Sequence, residues 1–421
     1  MSPRRWGRNA AVTRNAAVSI TGIGLVTPAG IGRAANWGRV CAGRPTARVV
    51  RELKEAPVNF ASVVSDTFDT NRLIGRRVSR NYDRSTQFAL VAARAALSDA
   101  RVIRTTLDGA RMAIIIGTAF GGVQTFEDNH ARLMTGGPEK VSARFLPKGL
   151  VNMVSGILSI ELGASGPSMV VSTACASGAS AIGLGLSLLR SDAADIVVCG
   201  GTDASVTPLH VAGFHKLRAL ADTSRFAPAS ASRPFDRDHA GFVMAEGAGI
   251  LILEREADAD ARDARRYARL AGYATTADAY HITAPHPEGH GAKVAIRAAC
   301  RDARLVPGDI DHVNAHATST PTGDSAEASV IGDLMPKAAV TSTKGVTGHT
   351  LGAAGAIEAA YTALALYSQT VPPTANLDIP CEKAGDLDLV TRRARPGRFD
   401  TAISNSFGFG GHNAVLVFTT A

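Results

Sequence analysis

The sequence predicts an α/β protein in which one strand–turn–helix plan is used twice. Short apolar runs rich in β-branched residues, such as Arg111–Gly117 and Asp195–Asp203, alternate with Ala- and Gly-rich helical stretches. Runs of this kind, bounded by turn residues, read as strands covered on both faces. Met169–Leu189 and Ala339–Leu366 echo each other: each runs strand, Ser-Thr, tight Gly turn, small-residue helix. The chain has 421 residues, 45% hydrophobic and 19% charged, which suits a large duplicated unit with a well-buried core.

Taken in order, residues 1–16 hold Arg4, Arg5, Arg8 and Arg14 and no acid, and read as a flexible extension rather than an organelle transit peptide. Ala17–Val26 is a strand running into a turn. Gln87–Ala100 is an amphipathic, Ala-rich helix, and Arg111–Gly117 is a buried strand. Met169–Val171 leads through the Cys175 turn into the helix Ala179–Leu189. Asp195–Asp203 and Gly249–Glu254 are further strands. The charged stretch Arg255–Arg266 is the expected joint, dividing 17–260 from 261–421. The second part follows with strands at Arg266–Ala274, Asp311–His316 and Ala339–Thr343, a helix at Ala353–Leu366, and closing strands at Phe399–Ser404 and Asn413–Phe418.

Composition excludes several classes. The cysteines, Cys41, Cys175, Cys199, Cys300 and Cys381, are odd in number and scattered. They form neither a disulfide framework nor a zinc motif, so no metal is expected, and a reducing cytoplasm fits. No apolar stretch is long enough to cross a bilayer. The net charge of +8 rests on arginine, since lysines are eight of the 45 basic residues. Such a charge attracts an acidic partner, whereas no basic run with interleaved aromatics points to nucleic acid.

Cys175 lies in Ser172-Thr-Ala-Cys-Ala-Ser-Gly178, between an apolar strand and a small-residue helix. A thiol at the positive end of a helix dipole is expected to have a lowered pKa. Its small neighbours leave room for a large substrate. His316 lies in Asn314-Ala-His-Ala-Thr-Ser-Thr-Pro-Thr-Gly-Asp324, and His349 in Thr343-Lys-Gly-Val-Thr-Gly-His-Thr350. Both follow apolar strands, where α/β folds place their sites. The loop Asn405-Ser-Phe-Gly-Phe-Gly-Gly-His-Asn413 could bring backbone N–H groups to a substrate.

In combination and in this order, VSTACASG, NAHATSTP, TKGVTGH and NSFGFGG resemble the elongating, type II β-ketoacyl-acyl-carrier-protein synthases of the thiolase superfamily. The resemblance runs from about Val18 to the end. It implies a thiolase-like, duplicated αβαβα layered fold. It also implies a decarboxylative Claisen condensation in fatty-acid or polyketide elongation. Cys175 takes the acyl group from the carrier's phosphopantetheine arm. His316 and His349 donate N–H to the enolate oxygen that loss of CO2 leaves on the malonyl thioester, and backbone N–H groups of Cys175 and Phe409 hold the second oxyanion. Lys344 orders the site with Glu358. Asp324 and Glu327 support the His316 loop, and Thr318 and Thr320 bind the pantetheine arm. No cofactor beyond that arm is implied.

By the same resemblance the partners are an acidic acyl carrier protein and a second subunit, either identical or a homologous chain-length subunit. Arg77, Arg80 and Arg218 match carrier-docking positions, while Asn81 stands where a basic residue is usual. Phe120 and Phe145 match acyl-pocket positions. A phenyl ring at 120, in place of a smaller aliphatic residue, predicts short or unusual acyl primers. Ala317 and His412 also depart from the family pattern without removing a catalytic group. A non-decarboxylating thiolase is disfavoured because the C-terminal loop has no cysteine. A non-catalytic chain-length subunit is disfavoured by the presence of Cys175.

Overall fold

The computed structural model describes residues 16–65, 67–103, 108–221 and 224–421, and of Arg77 it describes the backbone alone. The Arg-rich extension, apart from Ala16, lies outside the described residues.

The strands that build the frame are β1 (Val18–Thr27), β2 (Met112–Gly117), β3 (Ser168–Val171), β4 (Ile196–Asp203), β5 (Gly247–Arg255), β6 (Ala268–Ala277), β7 (His312–Asn314), β8 (Ala339–Thr341), β9 (Thr401–Gly408) and β10 (His412–Thr419). They form one eleven-stranded sheet in the order β8-β7-β9-β10-β6-β1-β5-β4-β2-β3, the remaining strand being Gly30–Ile31 beside β1.

The order is repetitive. Read from β1, the first half runs β1-β5-β4-β2-β3; read from β6, the second runs β6-β10-β9-β7-β8. In each half the first two pairings are antiparallel and the last two parallel. Within the sheet, among the described residues, the halves join where Ser19 and Ile20 of β1 pair with Arg269 and Ala268 of β6. This is the duplicated plan that the echoing segments predict.

Helices complete the layers: α1 (Arg76–Asn81), α2 (Arg84–Asp99), α3 (Val123–Gly136), α4 (Phe145–Gly149), α5 (Ser177–Arg190), α6 (Pro208–Lys216), α7 (His290–Asp302), α8 (Pro321–Leu334), α9 (Lys344–Thr347) and α10 (Ala354–Ser368). The carboxylate of Asp83 caps α2 by accepting from Ser85 N. Helix α2 covers β1 and β5 from outside, and α7 covers β6 and β10. Between the two halves of the sheet lie α5 and α10, whose Ala- and Gly-rich faces let them pack on strands of both halves and on each other.

Two glycines set how closely those inner helices approach. A Cβ on Gly178 would meet Ala356 N at 2.7 Å, and one on Gly355 would meet Ala179 N at 2.8 Å. The N-terminal ends of α5 and α10 therefore touch backbone to backbone, and the turns that precede them converge. Small residues, dispensable for hydrophobic burial, are what bring the halves together here.

Two local features stand out. β3 is an edge strand of the sheet, and Met169 is 38% exposed. Within the tight turn that precedes α10, Lys344–Thr347 forms a single helical turn.

Candidate active site

Each of the three candidate catalytic side chains comes from a turn that follows a strand. Cys175 follows β3, His316 follows β7, and His349 follows β8 and the short helix α9. Each turn contains a non-glycine residue in the left-handed region: Ala174 (φ 50°), Ser319 (φ 75°) and Leu351 (φ 54°). Such residues are strained and persist only where their surroundings over-determine them. Around Cys175, Ser177 Oγ accepts from Thr173 N at 2.9 Å and donates to Ala174 O at 2.6 Å. The backbone of His349 is stitched to the segment 243–245: His349 N donates to Val243 O at 2.8 Å, and Ala245 N donates to His349 O at 3.0 Å.

The side chains meet. His349 Nε2 is 3.0 Å from Cys175 Sγ. The His316 ring stands edge-to-face with His349, with centroids 5.4 Å apart. The backbone N–H of Phe409 points at the Cys175 sulfur. It can approach because Gly408 carries no Cβ, which would sit 2.5 Å from Thr173 O. All of these groups line one cavity of about 280 Å³, which also takes in Thr318, Thr320 and, at an exposed rim, Leu217 and Arg218.

Behind the histidines lies a buried charged layer. Lys344 Nζ donates to Glu358 Oε1, and both side chains are nearly inaccessible. Glu327 accepts from His316 N at 2.9 Å, Ala317 N at 2.7 Å and Asn405 Nδ2 at 3.0 Å. Asp324 accepts from Thr318 N at 2.9 Å, Ser319 N at 3.1 Å and Phe235 N at 2.8 Å. The two carboxylates thus splint the loop 316–319. Thr318 and Thr320 hydroxyls lie 3.0 Å apart on the cavity wall.

Burial pushes both histidines well below their ordinary pKa, and the Lys344 charge adds to that, so both rings are neutral. Burial pushes Glu327 and Glu358 up to about 7, with hydrogen bonds and Lys344 opposing. The Cys175 thiol departs from expectation. Burial pushes it up to about 12, outweighing the Lys344 charge and the Phe409 N–H, which both favour thiolate. Cys175 lies two residues before the first helical residue and is half-buried in the cavity wall, and its partial removal from water outweighs the helix end. Both shifts favour a neutral thiol beside a neutral imidazole as the resting pair.

The remaining predicted residues lie elsewhere. Phe120, 36% exposed, is not in the cavity wall; its ring packs edge-to-face on His210. Phe145 is half-buried on α4, edge-to-face with Phe126 at 4.9 Å. Arg80 is exposed beside a surface groove with Arg76, Asn81 and Arg144. The side chain of Arg77 lies outside the described residues.

Sequence reasoning missed Arg76 and Arg144, which a count of basic residues near Arg80 would have suggested only in part. It also missed Asp203. This buried carboxylate accepts from Thr118 Oγ1 at 2.7 Å, Ala119 N at 2.9 Å, Phe120 N at 3.3 Å and Gly352 N at 2.6 Å. It ties the Phe120 loop to the turn after His349. Its position at the end of an apolar strand was the available signal.

Residues 15–259 match the Beta-ketoacyl synthase, N-terminal domain, and residues 267–378 match the Beta-ketoacyl synthase, C-terminal domain. The chain is 42% identical over 409 residues to 3-oxoacyl-[acyl-carrier-protein] synthase 2 of Synechocystis sp., covering 95% of this chain and 97% of that protein. It is 41% identical over 413 residues to the protein of that name from Staphylococcus aureus, covering 97% and 99%. Among solved structures, the ishigamide ketosynthase/chain length factor is similar with a TM-score of 0.91 at 32% identity, covering 97% of this chain and 100% of that one. A type II PKS ketosynthase, AntDE, in complex with its acyl-carrier protein AntF gives 0.89 at 30% identity, covering 97% and 100%. A beta-ketoacyl synthase from Burkholderia phymatum gives 0.91 at 29%, covering 96% and 100%. Matched along nearly its whole length, with a cysteine and two histidines gathered at the ends of its sheet strands, the chain belongs to the beta-ketoacyl synthase family.

Proposed function

We propose that this chain catalyses decarboxylative condensation of a Cys175-bound acyl group with malonyl-acyl-carrier protein, giving a β-ketoacyl-carrier protein one two-carbon unit longer. The observation that carries this reading is the 3.0 Å approach of His349 Nε2 to Cys175 Sγ, with the His316 ring beside it in the same cavity.

In the first half-reaction the Cys175 sulfur attacks the carrier-bound thioester. With thiolate and imidazolium both disfavoured by burial, the thiol proton leaves as the new C–S bond forms, passing by His349 to the departing pantetheine sulfur. The tetrahedral oxyanion is held by the N–H groups of Cys175 and Phe409. In the second half-reaction malonyl-carrier enters past Arg218, its arm along Thr318 and Thr320. The C–C bond to the carboxylate breaks, CO2 leaves, and the electron pair passes to the thioester oxygen. Neutral His316 and His349 stabilise that charge by donating N–H. The enolate carbon then attacks the acyl-Cys175 carbonyl, the tetrahedral intermediate collapses with the Cys175 sulfur leaving as thiolate, and that sulfur takes up one proton from water to restore the resting thiol. Lys344, held by Glu358, keeps a fixed positive charge near the developing enolate, and Glu327 with Asp324 keeps the His316 loop in place. The carboxylate expelled is already β to a carbonyl, so the carrier's arm is the only prosthetic group this scheme uses.

The two sheet halves, 17–260 and 261–421, act as units of one site: the first gives the nucleophile and the second both imidazoles. Arg77, Arg80 and Arg218 receive the acidic carrier, joined by Arg76 and Arg144. Phe120 and Phe145 bound the acyl chain. The protein works as a dimer in the cytoplasm. A second reading makes this chain the catalytic subunit of a heterodimer with a chain-length partner. It is favoured by the likeness to the ishigamide ketosynthase/chain length factor.

Labelled CO2 release from malonyl-carrier, together with intact-mass detection of acyl-Cys175, tests the proposal. No CO2 and no mass gain on any acyl-carrier would sink it. Co-purification with, or dependence on, a homologous subunit decides for the second reading.

A further inference from the structure

We propose that His210 is a positioning residue that fixes the ring of Phe120 and so sets the length of acyl chain the enzyme accepts. The inference rests on the reading of Phe120 as a boundary of the acyl pocket and adds the device that holds it.

Phe120 is anchored at its backbone, where its N–H donates to Asp203 at 3.3 Å. Its ring contacts His210 edge-to-face, with centroids 4.7 Å apart and planes at 79°. On another side it contacts Phe214, at 6.3 Å and 82°. A phenyl ring held by aromatic neighbours can swing when a chain pushes on it. How far depends on whether those neighbours are themselves fixed.

His210 is held by Glu127 and Thr207. It is the third residue of α6, and its Nδ1 lies 3.0 Å from Glu127 Oε1 and 3.0 Å from Thr207 Oγ1. Thr207 Oγ1 in turn donates to Glu127 Oε1 at 2.8 Å and caps the helix by accepting from His210 N. The imidazole, its side chain 16% exposed, therefore donates to a carboxylate on α3 while its backbone belongs to α6. Helix α3 begins three residues after Phe120. The ring of Phe120 thus abuts a bridge between the two helices that frame its loop. Phe214, its other neighbour, leads on to Phe409 (6.3 Å) and Phe242 (5.2 Å), the latter lying against His349. A braced Phe120 keeps this file of rings in register, and a long saturated chain must break the brace to enter.

The test is acyl loading on Cys175, read by intact-protein mass spectrometry, with butyryl- and palmitoyl-carrier as paired probes. Variants are Phe120→Ile, His210→Ala, Glu127→Ala, Glu127→Gln and the double Phe120→Ile/His210→Ala, with thermal unfolding in parallel. The proposal expects H210A and E127A each to raise the palmitoyl-to-butyryl ratio about fivefold, the bias one edge-to-face contact can hold. E127Q, which keeps an acceptor in place, stays near the parent ratio. The double variant matches F120I alone, because His210 acts only through that ring. An unchanged ratio in H210A and E127A alongside a shifted F120I overturns this inference and leaves the Phe120 reading standing. So does a double variant that shifts by the product of the singles. An unchanged F120I overturns both. If H210A does not fold, the E127A/E127Q pair decides between the same outcomes.

Discussion

His349 Nε2 lies 3.0 Å from Cys175 Sγ although 174 residues separate them in the chain. The proximity is produced by two helices whose N-terminal ends meet through Gly178 and Gly355. The sulfur and the imidazole are carried on equivalent turns of a repeated unit, so the fold's internal symmetry is what brings this pair together.

Replacing Cys175 by alanine removes acyl loading altogether. Replacing His316 or His349 by alanine leaves loading measurable but lowers malonyl decarboxylation by about 10²–10³, the usual cost of one oxyanion donor. Separate assays of loading and of CO2 release distinguish the two half-reactions.

Lys344→Ala strands Glu358 as an unpaired buried carboxylate. Breaking a buried pair from one side costs about 3–5 kcal/mol, so thermal or denaturant unfolding of this variant shifts strongly downward. The paired replacement Lys344→Met/Glu358→Leu recovers most of that stability, while condensation stays impaired because the fixed positive charge is gone.

His312 gives a pH dependence with a defined sign. It is buried on β7, and its Nδ1–H donates to Ala339 O at 2.8 Å. Burial lowers its pKa from 6.5 to about 4. A depressed histidine pKa means the unfolded chain takes up the proton first. The stability is therefore present above 6.5 and drains away as pH falls toward 4. Comparing urea unfolding of the parent protein with His312→Gln, the difference between them narrows on acidification by on the order of 3 kcal/mol. A constant difference across that window contradicts it.

On the proposed function, Phe120→Ile removes the ring that bounds the acyl chain. Loading of long saturated acyl-carriers rises by about tenfold relative to short ones, as expected if one ring of steric exclusion is removed. Intact-mass profiles across chain lengths measure this directly.

Charge reversal at Arg80 or Arg218 raises KM for the acyl carrier with little change in kcat. The effect fades at high salt, because exposed charges steer encounter more than they stabilise the bound state. Steady-state assays at two ionic strengths check it.

The sequence carried the architecture well. The apolar runs at Arg111–Gly117, Asp195–Asp203 and Gly249–Glu254 all became central strands, because residues covered on both faces leave an unbroken hydrophobic signature. The run at Met169–Val171 is also a strand, but at the sheet's edge, since an edge strand can be as apolar as a buried one; which side of the sheet lies open is a tertiary fact. The Cys, His, His and Lys of the site were legible as motifs. Their electrostatics were not. A thiol's pKa depends on how much water reaches it, and that is decided by walls built from distant segments such as 241–245 and 407–411. His210 escaped notice for the same reason. Nothing in Thr207-Pro-Leu-His210 reveals that a carboxylate on another helix will orient the ring.

Asp203 accepts hydrogen bonds from the loop that carries Phe120 and from the turn after His349. If Phe120 and His349 play the roles proposed for them, selectivity for the primer and the power to extend it are coupled through this one carboxylate. A substitution that loosens one segment is felt in the other, so the effects of mutations in the two will be epistatic. Re-engineering the range of primers without loss of turnover calls for changes that spare this shared carboxylate.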